Sequence, residues 1–179
     1  MSFKKNIVFE AIPFCFGPIA TSLEVAKSLS KKISCEITWL ANGTSLKFLK
    51  EESSDFPIFE CDTTNFEEVK KFYKTLNNSD LIVSNTNPNF AKWCLDFNFR
   101  VAYIDILYWM WDRIPSFFNN LNPFKIEKFV GLNEQYQRLG KPKYSYEVGP
   151  LIPMDMYNEN IASKSNTLLV SFGGITNPF

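Results

Sequence analysis

Histidine is absent from the 179 residues. That removes the commonest general base near neutral pH and the commonest metal ligand together, so no metal site is expected. An excess of charge of either sign is also missing, with 19 Lys plus Arg against 19 Asp plus Glu. The electrostatic footprint of a nucleic-acid binder is therefore lacking. No apolar run reaches the ~20 residues that a membrane-spanning helix needs. Met1-Ser2-Phe3-Lys4-Lys5 lead straight into a strand-like run, without the apolar core of a signal peptide. Cysteine is sparse and scattered. Cys15, Cys35, Cys61 and Cys94 make no CxxC pair and no zinc-ligand spacing. They read as reduced, mostly buried thiols, and the chain as a cytoplasmic protein. Repeats and low-complexity tracts are lacking as well.

What is present is core material in alternating patterns. A hydrophobic fraction of 45% suits a globular domain, and the length fits one domain of ~150 residues with a remainder. Strand-like runs are expected at Asn6–Ile12, Cys35–Ala41, Phe56–Cys61, Asp80–Ser84, Arg100–Leu107, Phe129–Leu132 and Tyr144–Val148. Helical patterns fall between them. Pro18 suits a first helical position, because its missing N–H would be unpaired there anyway. Ile19, Leu23, Ala26, Leu29 and Ile33 then recur at helical spacing. A short helix is expected from Thr44 to Glu52. Asn65 is placed to cap a helix with the stripe Phe66, Val69, Tyr73 and Leu76. The turn Asn85-Thr86-Asn87-Pro88 opens another helix through Leu95. Strands alternating with helices imply a Rossmann-like α/β fold: a twisted parallel sheet with helices on both faces. Ligands of such sheets bind outside the carboxyl ends of the strands. That rule selects residues 13–21, 41–44, 84–89, 105–115 and the exit at Gly149-Pro150.

The last stretch is punctuated differently. Val148-Gly149-Pro150-Leu151-Ile152-Pro153 closes one α/β unit, and a polar stretch follows. Thr167 to Gly174 then reads as a buried strand running into a glycine turn. A single strand cannot bury both faces alone. The expected organisation is a domain over residues 1–153, a linker over 154–166, and over 167–179 the first strand of a second, truncated domain.

Order and punctuation together resemble a glycosyltransferase of the GT-B fold of the UDP-sugar-dependent type, in its N-terminal, acceptor-binding half. The carrying residues are Phe16-Gly17-Pro18-Ile19, the helix Leu23-Glu24-Val25-Ala26-Lys27-Ser28-Leu29, and the strand Cys35-Glu36-Ile37-Thr38-Trp39-Leu40. Val148-Gly149-Pro150-Leu151 and Leu168-Leu169-Val170-Ser171-Phe172-Gly173-Gly174 complete the set. The resemblance implies a nucleotide sugar, UDP-linked, as co-substrate, and no separate cofactor. It implies a small-molecule or glycan acceptor and a C-terminal donor domain, supplied in cis or as a separate subunit. It also implies that Gly173 and Gly174 touch the donor. Many members of the family carry a histidine in the loop after the first strand, where it takes the acceptor's proton. Here that loop holds Phe14, Cys15 and Phe16.

With histidine absent, Asp105 is the first candidate for general base. It lies near the carboxyl end of an apolar strand, where a carboxylate is either desolvated with a raised pKa or paired so that it pins the next loop. Glu10 and Glu24 are rivals, Glu24 fitting a solvated helix face equally well. Phe16 and Gly17 are candidates for acceptor binding. Gly17 with Pro18 either offers backbone N–H groups to an anion or simply makes a tight strand-to-helix turn. Asn85 and Asn87 either bond a polyol or serve Asx-turn and cap chemistry. Trp109 and Trp111, in an unusually aromatic loop, are either a stacking platform for sugar or base, or a small satellite core. Arg113 suits an acidic acceptor or a phosphate. Cys15 lacks any neighbour in sequence that would activate it.

The function expected is transfer of a sugar to an acceptor in a cleft between two domains. A sugar-nucleotide 2-epimerase or hydrolase of the same fold is the second reading. The third is a non-catalytic binding module, or a half-enzyme that needs a separate donor subunit. The fragment alone is expected to be inactive.

Overall fold

The computed structural model describes residues 4–14, 16–52 and 55–105 in full, and the backbone of strands 128–132 and 145–148. Seven strands form one sheet in the order β3-β2-β1-β4-β5-β6-β7, and every neighbouring pair is parallel. The strands are β1 (Lys5–Ala11), β2 (Cys35–Ala41), β3 (Ile58–Glu60), β4 (Leu81–Asn85), β5 (Val101–Asp105), β6 (Lys128–Leu132) and β7 (Ser145–Val148). Between them lie α1 (Phe16–Lys32), α2 (Gly43–Glu52), α3 (Phe66–Lys71), α4 (Tyr73–Asn77) and α5 (Pro88–Asp96). The Rossmann-like expectation is met. The chain winds outward from β1 to β3, then returns to the other side of β1 at β4. The topological switch point therefore lies between β1 and β4.

Strand alternation sends side chains to two helical layers. Ile7, Phe9, Ile37, Trp39, Val83 and Ile104 pack with Ile19, Leu23 and Ala26 of α1 and with Leu46 and Leu49 of α2. Val8, Leu40, Ile82, Val101 and Tyr103 pack with Val69 of α3, Leu76 of α4, and Phe90, Ala91 and Cys94 of α5. Both sheet faces are covered, which is why the central strands read as continuous apolar runs.

Caps set the helix starts. The Asn65 side chain accepts a bond from the N–H of Glu67 at 3.1 Å, and that of Asn87 from Phe90 at 3.2 Å, with Pro88 opening α5. Gly43 sits at φ +57°, and a Cβ there would lie 2.6 Å from the carbonyl oxygen of Pro13. Only glycine lets the start of α2 approach the loop after β1 so closely. The N–H of Thr44 then donates to that same oxygen at 2.9 Å.

Three expectations are corrected. The helix with the stripe Phe66 to Leu76 is two short helices, broken at Phe72 (φ −99°, ψ 10°). Phe72 turns instead toward Phe59 on the edge strand, their ring centres 5.8 Å apart. Tyr73 is consequently 41% exposed rather than in the core. Ile33 falls beyond the end of α1 and is 44% exposed. The third strand is also shorter than expected. The loop with Trp109 and Trp111, the 154–166 linker, and the segment with Gly173 and Gly174 lie outside the described residues.

Candidate functional site

The carboxyl ends of β1 and β4 meet at the switch point, and a polar cluster replaces the apolar core there. Glu10 is the penultimate residue of β1, buried with 0% exposure among apolar neighbours in sequence. Register brings Phe9 opposite Val83 and Ser84 opposite Tyr103. The next step along the strands puts Glu10 level with Ser84. Three side chains converge on its carboxylate. The hydroxyl of Thr63 donates to Oε1 at 2.7 Å, the amide of Asn87 donates to Oε1 at 2.8 Å, and the hydroxyl of Ser84 donates to Oε2 at 2.8 Å. The backbone N–H of Asn85 also bonds to this carboxylate. Burial penalises the charge and pushes Glu10 up to about 7, against the lowering effect of those bonds. One carboxylate thus joins β1, the loop before α3, the end of β4 and the cap of α5.

The turn after β4 is held from the other face as well. The amide of Asn85 donates to the carbonyl of Pro18 at 2.9 Å and to the hydroxyl of Ser22 at 3.0 Å, fixing the turn to the first turns of α1. Thr86 has φ 56°, the left-handed region that a β-branched residue rarely adopts. Its N–H donates to Ile104 at 3.0 Å and its hydroxyl to the side-chain oxygen of Asn85 at 2.8 Å. The amide of Asn87 is shared between Glu10 and Thr63, while its oxygen caps α5. Asn85 and Asn87 are thus brought to the expected place, and both side chains are buried in bonds within the fold.

Asp105 ends β5 with 0% exposure. Alternation puts it on the face of Tyr103, whose hydroxyl is raised well above its usual range by burial, then by Asp105 and Glu10. The fold therefore brings two buried carboxylates, Asp105 and Glu10, to the same face at the carboxyl ends of nearby strands. Phe16 and Gly17 are exposed at the start of α1, with Phe16 edge-on to Phe48 at 6.1 Å. Glu24 is half-buried on α1 and pairs with Lys27. The two buried thiols, Cys61 and Cys94, are poor nucleophiles. Burial with Glu68 and Asp62 nearby pushes Cys61 up to about 12, and burial raises Cys94 well above the usual range.

Sequence reasoning held Glu10 only as a rival and missed Thr63 and Ser84. A visible signal was the lone charge inside Ile7-Val8-Phe9-Glu10-Ala11-Ile12. No comparable signal marked Thr63.

Neither a family model nor a curated protein matches this chain. Solved structures do. Phytolacca americana UGT2 complexed with UDP-2-fluoro-glucose and pterostilbene matches with a TM-score of 0.62 at 9% identity, over 84% of this chain and 54% of that one. Medicago truncatula UGT71G1 complexed with UDP-glucose gives 0.59 at 13% identity, over 85% and 53%. A UDP-glucosyltransferase from Polygonum tinctorium, capable of glucosylating indoxyl, gives 0.54 at 11% identity, over 84% and 53%. At these identities the likeness is one of fold alone: a Rossmann-like α/β fold shared with glycosyltransferases of the GT-B fold. This chain spans about half the length of the structures it matches. Among the described residues, no helix is long and apolar enough to cross a membrane.

Proposed function

We propose that this chain is the acceptor-side half of a nucleotide-sugar-dependent glycosyltransferase. What supports the reading most is the likeness of fold over 84–85% of the chain to UDP-glycosyltransferases, at about half their length. The polar cluster at the switch point is where a parallel α/β sheet takes its ligand. The other half binds the sugar donor, and transfer takes place in the cleft between them. Asp105 takes the proton of the acceptor hydroxyl as the oxygen attacks the sugar and the nucleoside diphosphate leaves. With no histidine in the chain, a carboxylate buried at the carboxyl end of a strand is the candidate for that task. Phe16, Gly17, Trp109 and Trp111 border the acceptor, and the ends of Asn85 and Asn87 shape the floor beneath it. Gly173 and Gly174 belong to the donor side.

The donor half is supplied in cis or by a separate subunit. One experiment addresses both. The full gene product, alone and with any donor-side partner, is incubated with a panel of nucleotide sugars and hydroxylated acceptors. Mass spectrometry scores glycoside formation and nucleotide release. Glycoside formation supports transfer, and nucleotide release alone supports a hydrolase. Neither product with any donor overturns the proposal.

A further inference from the structure

We infer that Glu10 is a positioning residue of the acceptor side, tying the turn of residues 84–87 to β1 and to the loop before α3 across the switch point. The inference rests on the acceptor-side reading above, and its test has a readout that does not. The turn needs such a tie. Thr86 holds a left-handed backbone conformation at φ 56°, which is strained for a β-branched residue and persists only where the surroundings over-determine it. Asn85 fixes the turn on the α1 face through Pro18 and Ser22. On the opposite face the restraints come from Glu10, through Ser84, Asn87 and the Asn85 N–H.

The bonding pattern accepts a neutral Glu10 without rearrangement. Oε1 takes the donors of Thr63 and Asn87. A proton on Oε2 points to the oxygen of Ser84, whose own hydrogen then turns to the Asn87 carbonyl 3.4 Å away. That relay closes the turn on itself. Among the described residues, the titratable groups that feel Glu10 are Tyr103 on β5, with Asp105 beside it, Cys61 after β3 and Cys94 on α5. None brings a positive charge to the carboxylate, so ionisation favours a state in which the turn opens and water reaches Glu10. The closed turn binds the proton more tightly than the open one, so raising pH through neutrality loosens it.

Amide hydrogen exchange over residues 84–91, read by mass spectrometry from pH 5.5 to 8.5 and corrected for intrinsic rates, tests this in the chain as it is. In the wild type, protection of that segment should fall several-fold as pH rises. Glu10→Gln, whose amide can donate to Ser84 as the neutral acid does, should keep protection and lose its pH dependence. Glu10→Ala should lose protection at every pH, while the exchange of β2 (Cys35–Ala41) stays as in the wild type. Should Glu10→Ala fail to fold, Thr63→Val, which removes one tie, should give partial loss. A segment whose protection titrates in Glu10→Gln as in the wild type, or persists in Glu10→Ala, overturns the inference. Where transfer is detected, Glu10→Ala should raise the acceptor KM more than it lowers kcat. A normal exchange pattern with no transfer by any variant would count against the glycosyltransferase reading alone.

Discussion

A carboxylate on an inner strand of a parallel sheet is costly unless every lone pair is used, and Glu10 has four donors around it. Those bonds do not fully offset desolvation, which leaves it raised from 4.5 to about 7. The sign for stability follows. Below pH 4.5 both folded and unfolded chains carry the proton, and the group contributes nothing to the pH dependence. Between 4.5 and 7 the folded chain holds a proton that the unfolded one has lost, so stability falls as pH rises. Above 7 the loss is complete, at about 3 kcal/mol for a shift of this size. Glu10→Gln should therefore unfold at higher urea than the wild type at pH 8, with the gap closing by pH 4.5. A gap that widens on acidification instead would mean the bonds favour the charged form. Asp80 opposes this trend, because Lys5 and the Asn6 N–H hold it below the ordinary value; its contribution is present at neutral pH and lost on acidification. Comparing the two proteins at each pH cancels that common term.

Asp105 belongs to the same scale. Asp105→Asn keeps shape and bonding capacity but cannot take a proton. If it is the general base, kcat should fall on the order of 10²–10⁴-fold with the acceptor KM nearly unchanged. Trp109→Ala should do the reverse, raising KM and sparing kcat, because a stacking ring holds the acceptor in ground and transition state alike. Steady-state kinetics of the complete enzyme separates the two. An Asp105→Asn protein with near-normal rates and a much lower melting temperature would mark the residue as a structural pin.

Among the elements, legibility followed how local the cause is. The strand Cys35–Ala41 and the caps at Asn65 and Asn87 could be read directly, since alternation and cap chemistry are written in adjacent residues. The break at Phe72 could not, because the aromatic contact it accompanies is with Phe59 on another element. The candidate site divides the same way. Asp105 and Glu10 each stood out as a charge in an apolar run. What gives Glu10 its role is contact with Thr63, Ser84 and Asn87, which are 53, 74 and 77 residues away along the chain. Separations of that size leave no local pattern. One prediction belongs here. Gly43→Ala places a methyl against the Pro13 carbonyl at a positive φ and should cost about 2 kcal/mol or more. It should also displace the loop after β1, measurable as a lower Tm together with faster exchange in residues 12–19.

At the scale of the molecule, the sheet order puts β1 at the centre with crossovers to either side, so its carboxyl end collects loops from both windings. Phe16 and Gly17, the 84–87 turn and Asp105 all gather along that edge. The three solved structures named above are about twice as long as the span they share with this chain, and two of those three are complexes with UDP sugars. If the donor site belongs to the other half, the described residues should hold a pyrophosphate only weakly. The exposed start of α1 is a candidate for an anion, and a lone helix terminus is worth only about 0.3–1 kcal/mol toward a charge. A micromolar ligand requires about 8 kcal/mol. Calorimetry of the isolated chain with UDP-glucose should accordingly show no micromolar binding, whereas the same titration of the chain joined to a donor-side half should. Micromolar affinity in the isolated chain would move the donor site onto these residues. The acceptor-side assignment would then fail, leaving the fold unaffected.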